Sequence, residues 1–137
     1  MPTPAVRFRV EFGRDEAIGP GKIALLEQIG RGGSLSQAAR DLNMSYRRAW
    51  QLLDSLNGCF IERVALTAKG GRGGGGATLT PFGRQLIRVY REFDAEIQAR
   101  AVRRFRTIAS EARSRGGVTR PARTRRRAAP VRRLNDR

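Results

Sequence analysis

The sequence predicts a mainly α fold with a small β component. Three patterns carry this reading. Apolar residues recur at helical spacing in four separate stretches. Two short extended stretches flank a Gly-rich loop, as in a β-hairpin. An alternating apolar and charged run opens the chain. At 137 residues, with 28 Lys+Arg against 12 Asp+Glu and a formal charge of +16, there is room for one domain and a tail.

Val6-Arg7-Phe8-Arg9-Val10-Glu11-Phe12 alternates strictly. It predicts a half-buried strand with Val6, Phe8, Val10 and Phe12 inward. Gly13 to Gly19 reads as a turn. Pro20 suits a first helical position, where its missing N–H costs nothing. Ile23, Leu25, Leu26 and Ile29 follow at helical spacing, and Gly30 to Gly33 ends that helix. Ser34-Leu35-Ser36-Gln37 has the form of a capping box. The helix it opens runs from Ser36 to Leu42, with Leu35, Ala38, Ala39 and Leu42 inward. Asn43-Met44 is a tight turn, because Asn tolerates a left-handed backbone. Ser45 caps the next helix, Tyr46 to about Asn57, where Ala49, Leu53 and Leu56 form one apolar row and Tyr46, Trp50 and Leu53 another.

Beyond Asn57-Gly58 the pattern becomes extended. Arg63 to Thr67 and Ala77 to Leu79 read as paired strands, and 68–76 as a Gly-rich tip carrying two cations. Thr80-Pro81 then restarts helix as cap and first position. Phe82, Leu86, Val89, Phe93, Ile97 and Ala101 follow at steps of four or three. A stripe of about five turns exceeds what a core of ~100 residues can cover, so its outer part is expected to pack on a second copy.

The charge is uneven. Residues 1–99 hold 14 Lys+Arg and 10 Asp+Glu, a net +4; residues 100–137 hold 14 Arg and two acids, a net +12. The segment 114–137 has few large apolar residues and is expected to be disordered. Two readings of it stay open. It is an arm that slides on phosphate, or a solvated tail in a chain that uses 26 Arg and only 2 Lys.

Several function classes drop out. The chain has no His and one Cys. That excludes Ser-His-Asp and Cys-His catalysis, His-bearing metal sites and thiolate clusters. Cys59 reads as core packing, and Asp54 and Glu62 lack carboxylate partners for acid–base work. No enzyme activity, cofactor or metal is expected. One thiol points to a reducing compartment. No apolar run approaches the ~20 residues of a membrane span, and the start of the chain lacks a secretory signal. A cytoplasmic location at the nucleoid is expected, with a polyanion as partner.

The two short helices around Asn43-Met44 form a helix-turn-helix, and the basic hairpin downstream forms a wing. Ser34, Ser36 and Gln37 open the first helix. Ser45, Arg47, Arg48 and Gln51 lie in the first turns of the second, the part that enters a major groove. Arg can fork onto guanine, Gln can pair with adenine, and Ser45 can bond a phosphate. Lys69 and Arg72 on the wing can reach the backbone. Trp50 reads as core, with an indole able to touch DNA where exposed.

At this point the residues resemble a family. Gly33-Ser34-Leu35-Ser36-Gln37-Ala38-Ala39, Met44-Ser45-Tyr46-Arg47-Arg48-Ala49-Trp50, the run Gly70 to Ala77 and Leu79-Thr80 resemble the N-terminal DNA-binding domain of ModE-type molybdate-dependent transcriptional regulators. The wider LysR-type winged-helix class shares part of this pattern. The resemblance spans about residues 4–100. It implies a winged helix-turn-helix that dimerises through its terminal helices and binds a palindromic operator. Ser45, Tyr46, Arg47 and Arg48 then belong to the recognition helix and 69–76 to the wing. It also implies a stand-alone form, since the family's C-terminal molybdate-binding domains have no counterpart here. Direct molybdate sensing by this chain is not expected, and a separate molybdate-binding protein becomes a candidate partner.

The expected organisation is a winged helix-turn-helix over 1–79, a long dimerisation helix over 80–113 and the Arg-rich tail over 114–137. The expected DNA-binding residues are Ser34, Ser36, Gln37, Ser45, Tyr46, Arg47, Arg48, Gln51, Lys69 and Arg72. Phe82, Leu86, Val89, Phe93 and Ile97 are the expected dimerisation residues. Two alternatives remain: a sequence-indifferent nucleoid-associated or RNA-binding protein driven by the tail, and an adaptor that binds another protein.

Overall fold

The computed structural model describes residues 2–68 and 76–112. The elements run β1 (Val10–Glu11), β2 (Ala17–Ile18), α1 (Pro20–Gly32), α2 (Leu35–Asp41), α3 (Tyr46–Cys59), β3 (Ala65–Thr67), β4 (Ala77–Leu79), α4 (Pro81–Arg104) and α5 (Arg106–Glu111). The fold is α+β, with two antiparallel two-stranded ribbons against a helical core.

The helices start where the local chemistry places them. Pro20 and Pro81 open α1 and α4. Ser34, Ser45 and Thr80 cap α2, α3 and α4, each accepting a backbone N–H from three residues on, which satisfies a donor that a helix start leaves free. Gly33 ends α1 in the left-handed region at φ 66°. Asn43 takes φ 53° in the turn between α2 and α3, a conformation Asn accepts at low cost.

The core forms where α1, α2 and α3 meet. Ile23, Leu25, Leu26 and Ile29 of α1 pack with Leu35, Ala38 and Ala39 of α2 and with Ala49, Leu53 and Leu56 of α3. Val64, Ala65, Ala77 and Leu79 of the hairpin region and Leu86 and Tyr90 of α4 close it. Strand β3 pairs β4 with Ala65 opposite Leu79 and Thr67 opposite Ala77. The Ala77 N–H also donates to Gly33 O at 2.9 Å, which ties the hairpin to the end of α1.

The opening run differs from its expected form. Only Val10–Glu11 pairs as a strand, and its partner, β2, lies inside the stretch read as a turn. Upstream, the extended chain has no neighbouring strand among the described residues. Side chains of α4 replace the ladder: Val6 N–H donates to Gln98 Oε1 at 2.9 Å, Gln98 Nε2 donates to Val6 O at 2.7 Å, and Tyr90 Oη donates to Phe8 O at 3.3 Å. Phe8 lies between Tyr90 and Phe93. Phe12 stays half exposed, its ring edge-on to Phe60.

Helix α3 continues two residues past Asn57. Helix α4 runs 24 residues and ends at Phe105, after which α5 follows over Arg106–Glu111. Its buried positions are Gly83, Leu86, Tyr90 and Ala101. The apolar stripe therefore divides. Leu86 is enclosed within the chain, and Phe82 is half-buried against the edge of Phe60. Val89 and Phe93 remain 54% and 43% exposed. The reason is the position of the core, which covers the flank that holds Tyr90, one residue around from Val89. Arg91 of α4 grips Glu27 of α1 with two nitrogens, one contact at 3.1 Å, and this hydrogen-bonded pairing raises the Arg91 pKa.

At the start of α4, Gly83 lies against the backbone of Val64, and a Cβ built there would stand 2.0 Å from Val64 O. Gly83→Ala is therefore expected to destabilise the protein by about 2–4 kcal/mol in urea unfolding, because backbone has to move. Gly21→Ala and Gly58→Ala, at helical positions with open space around the new methyl, are expected to stabilise by up to ~1 kcal/mol. Equal effects at the three positions would show that the Val64 contact is not the constraint.

Candidate nucleic-acid interface

The helix-turn-helix is assembled from short-range bonds. Ser34 Oγ accepts from Gln37 N at 3.2 Å, and Ser45 Oγ accepts from Arg48 N at 3.0 Å. The capping box over Ser34–Gln37 is only half formed. The Gln37 side chain points along α2, with Nε2 donating to Asp41 Oδ1 at 2.8 Å and Oε1 accepting from Arg40 at 2.9 Å. Charged neighbours one turn on are stronger partners than the cap backbone. In the turn, Met44 N donates to Ala39 O at 3.0 Å and Asn43 N to Arg40 O at 3.1 Å.

Helix α3 turns Ala49, Leu53 and Leu56 inward, so the opposite arc belongs to Arg47, Gln51 and Asp54. All three are exposed. Arg48 lies to one side, lining a cleft of about 740 Å³ with Arg9, Lys22 and Met44. Lys22 is engaged there: Nζ donates to Ala17 O at 2.7 Å and to Ser55 Oγ at 3.0 Å. Tyr46 and Trp50 lie on the other side, each 50% exposed. Trp50 is thus not a core residue; Ala49, Leu53 and Leu56 fill the interior without it. Among the described residues, neither Arg47 nor Arg48 pairs with a carboxylate. No acid occurs between Asp41 and Asp54. Free guanidinium groups at the open start of a helix, with its N-terminal dipole, suit a polyanion.

Ser34 and Ser36 are half-buried at the start of α2, and Ser45 is exposed at the start of α3. Ala68 N donates to Gly76 O at 2.8 Å, which closes the base of the hairpin loop. Lys69 and Arg72, the expected wing cations, and the tail 114–137 lie outside the described residues.

Asn57 is a positioning residue that the sequence reading passed over as an element boundary. Its Oδ1 accepts from Val64 N at 2.8 Å, and its Nδ2 donates to Ala65 O at 3.3 Å. One amide thereby fixes the end of α3 to the first residues of the hairpin. An Asn placed near a helix end before a strand was the available signal. Cys59 is half-buried, its thiol donating to Ser55 O at 3.2 Å. Burial pushes its pKa up, so the thiol stays protonated and weakly nucleophilic. No cluster of His, Cys, Asp or Glu fit to hold a metal occurs among the described residues. No helix there is long and apolar enough to cross a membrane.

Two helices about a tight turn, the second exposed and basic, followed by a hairpin, define a winged helix-turn-helix protein. The chain is 36% identical over 99 residues to the molybdenum transport protein ModE of Azotobacter vinelandii, covering 69% of this chain and 37% of that one. It is 42% identical over 82 residues to the DNA-binding transcriptional dual regulator ModE of Escherichia coli (60% and 31%). It is 42% identical over 80 residues to the molybdenum-pterin-binding protein MopB of Rhodobacter capsulatus (58% and 30%). No protein-family model matches. Over the aligned residues the chain is a relative of the N-terminal domain of the ModE-type regulators. It spans about a third of the length of these curated relatives.

Asn57→Ala is expected to lower unfolding stability by about 1–3 kcal/mol, because it leaves the half-buried Val64 N–H without a partner. Thermal or urea unfolding checks this, and a change within ±0.3 kcal/mol would remove Asn57 from the set of fixing contacts.

Proposed function

We propose that this chain is a DNA-binding transcriptional regulator. It acts as a homodimer on a palindromic operator, with α3 in the major groove and the 68–77 wing on the backbone. The observation that carries the reading is the start of α3. Ser45, Tyr46, Arg47, Arg48 and Gln51 stand together on a capped helix, with both arginines free of carboxylates among the described residues. Arg47 and Gln51 share the outermost arc, one turn apart, and reach base edges. Arg48, beside Arg9 at the cleft, holds a phosphate. Ser34, Ser36 and Gln37 at the start of α2 and the wing cations Lys69 and Arg72 add backbone contacts. The relatives' names supply the link to transcription and molybdenum, and a separate molybdate-binding protein would deliver that signal.

The exposed part of the α4 stripe carries the dimer. Val89 and Phe93, with Ile97 beside them, form the α4 surface for a second copy, and Val102, Phe105 and Ile108 extend the exposed apolar surface. Leu86 is enclosed in the core and Phe82 packs on Phe60 nearer the start of the same helix.

Binding-shift assays with the promoter of its own locus test the DNA reading at physiological salt. Affinity is expected to exceed that for random duplex by about 10³ or more. Arg47→Ala with Arg48→Ala is expected to lose at least about tenfold in affinity, the base-reading Arg47 contributing about 1–3 kcal/mol and the phosphate-binding Arg48 a further loss that is uniform across sequences. Removal of 114–137 is expected to lower the salt dependence and leave sequence preference intact. Loss of nearly all binding on that removal favours the sequence-indifferent alternative, and normal binding by the double arginine variant favours the adaptor. Val89→Asp places a charge on a half-exposed position of the dimer surface. By sedimentation it is expected to turn a dimer into a folded monomer at micromolar concentration, and an unchanged dimer would move the interface elsewhere.

A further inference from the structure

We infer that Trp50, supported by Tyr46, reads a thymine 5-methyl group in the major groove and so sets sequence preference beside Arg47. This rests on the DNA reading above and adds a contact to it. Tyr46 and Trp50 are one turn apart and each 50% exposed, so both side chains lie on one side of α3. Such an exposed aromatic pair on a helix whose core row is already complete has no interior role. Seven residues beyond Trp50, nearly two full turns, Asn57 bonds Val64 and Ala65. The aromatic side of α3 is therefore the side on which Asn57 meets the start of the hairpin.

The surroundings of the pair select its occupant. Arg47 lies on the next arc, three residues before Trp50, and no acid stands between Asp41 and Asp54. An apolar ring beside the Arg47 guanidinium, which pairs with no carboxylate among the described residues, suits a surface that is anionic overall and carries isolated apolar groups. Duplex DNA has that character, and the thymine methyl is its apolar group in the major groove. Arg47 and Trp50 then read adjacent base pairs, one by hydrogen bonds and one by an apolar contact.

The test uses the full chain and a random duplex pool from which its preferred sites are enriched. Each thymine of the enriched site is then replaced by deoxyuridine, which lacks the methyl group. One thymine per half-site is expected to lose about fourfold in affinity, the effect of uncovering one carbon. Trp50 is the only tryptophan in the chain, so binding is also expected to change its emission. Both readouts use the unaltered protein. Trp50→Ala is expected to abolish the sensitivity to deoxyuridine and to leave the base preference of Arg47 in place. If deoxyuridine is neutral at every position, or the emission does not change, the inference is overturned while the DNA reading stands. Equal weakening on all duplexes by Trp50→Ala also overturns it, because the ring would then only pack on the backbone. If no duplex is enriched, both this inference and the DNA reading fall.

Discussion

Val64 is where the parts of the molecule are joined. Its side chain is fully buried, its N–H donates to Asn57 at the end of α3, and its C=O accepts from Thr80 N at the start of α4. Thr80 Oγ1 donates to the preceding carbonyl, Arg63 O, at 2.6 Å and accepts from Gly83 N at 3.0 Å. Gly83 allows α4 to approach this backbone because it has no Cβ. The polar groups of one short segment are thus satisfied from two sides, by Asn57 of α3 and by Thr80 at the start of α4, as buried backbone requires. The consequence is rigid placement: α3, the hairpin and α4 are all referenced to the same two residues.

That placement links local chemistry to the proposed function. A reader of DNA needs its recognition helix and its wing held at a fixed separation, since each meets a different groove or strand. Asn57 sets the helix against β3, and Gly33 O holds β4 to the end of α1. The long helix leaves the same junction in a defined direction, so a dimer formed along α4 would fix the distance between two copies of α3. The N-terminal segment adds to this by lying along α4, with Gln98 taking the place of a neighbouring strand. Charge has a separate role. Under the proposed function the excess at 100–137 would bear on affinity and salt dependence, whereas 1–99 carries a net charge of only +4.

Much of the architecture was legible in the sequence. The caps at Ser34, Ser45 and Thr80, the prolines at first helical positions, the left-handed Asn43 and the buried rows of α1 to α3 all follow from interactions within about four residues. The readings that differ share another origin. The pattern at Val6–Phe12 is that of a strand, but only a neighbouring strand makes a ladder, and α4 took that place for its first half. Trp50 has the composition of a core residue, yet the interior was complete without it. Gln37 fits a capping box, but Arg40 and Asp41 compete for its amide.

The sequence by itself determined where each helix starts, which faces of α1, α2 and α3 are apolar, and that a basic helix-turn-helix precedes a hairpin. Those are local properties, set by side chains a turn or less apart. Tertiary structure alone decided which half of the α4 stripe is covered, that Trp50 and Tyr46 face solvent, and that Asn57, Thr80 and Gly83 meet at Val64. The Val6–Gln98 bonds join residues 92 positions apart. Contacts of that kind depend on how the whole core closes, and no local periodicity encodes which of two apolar faces the core will reach.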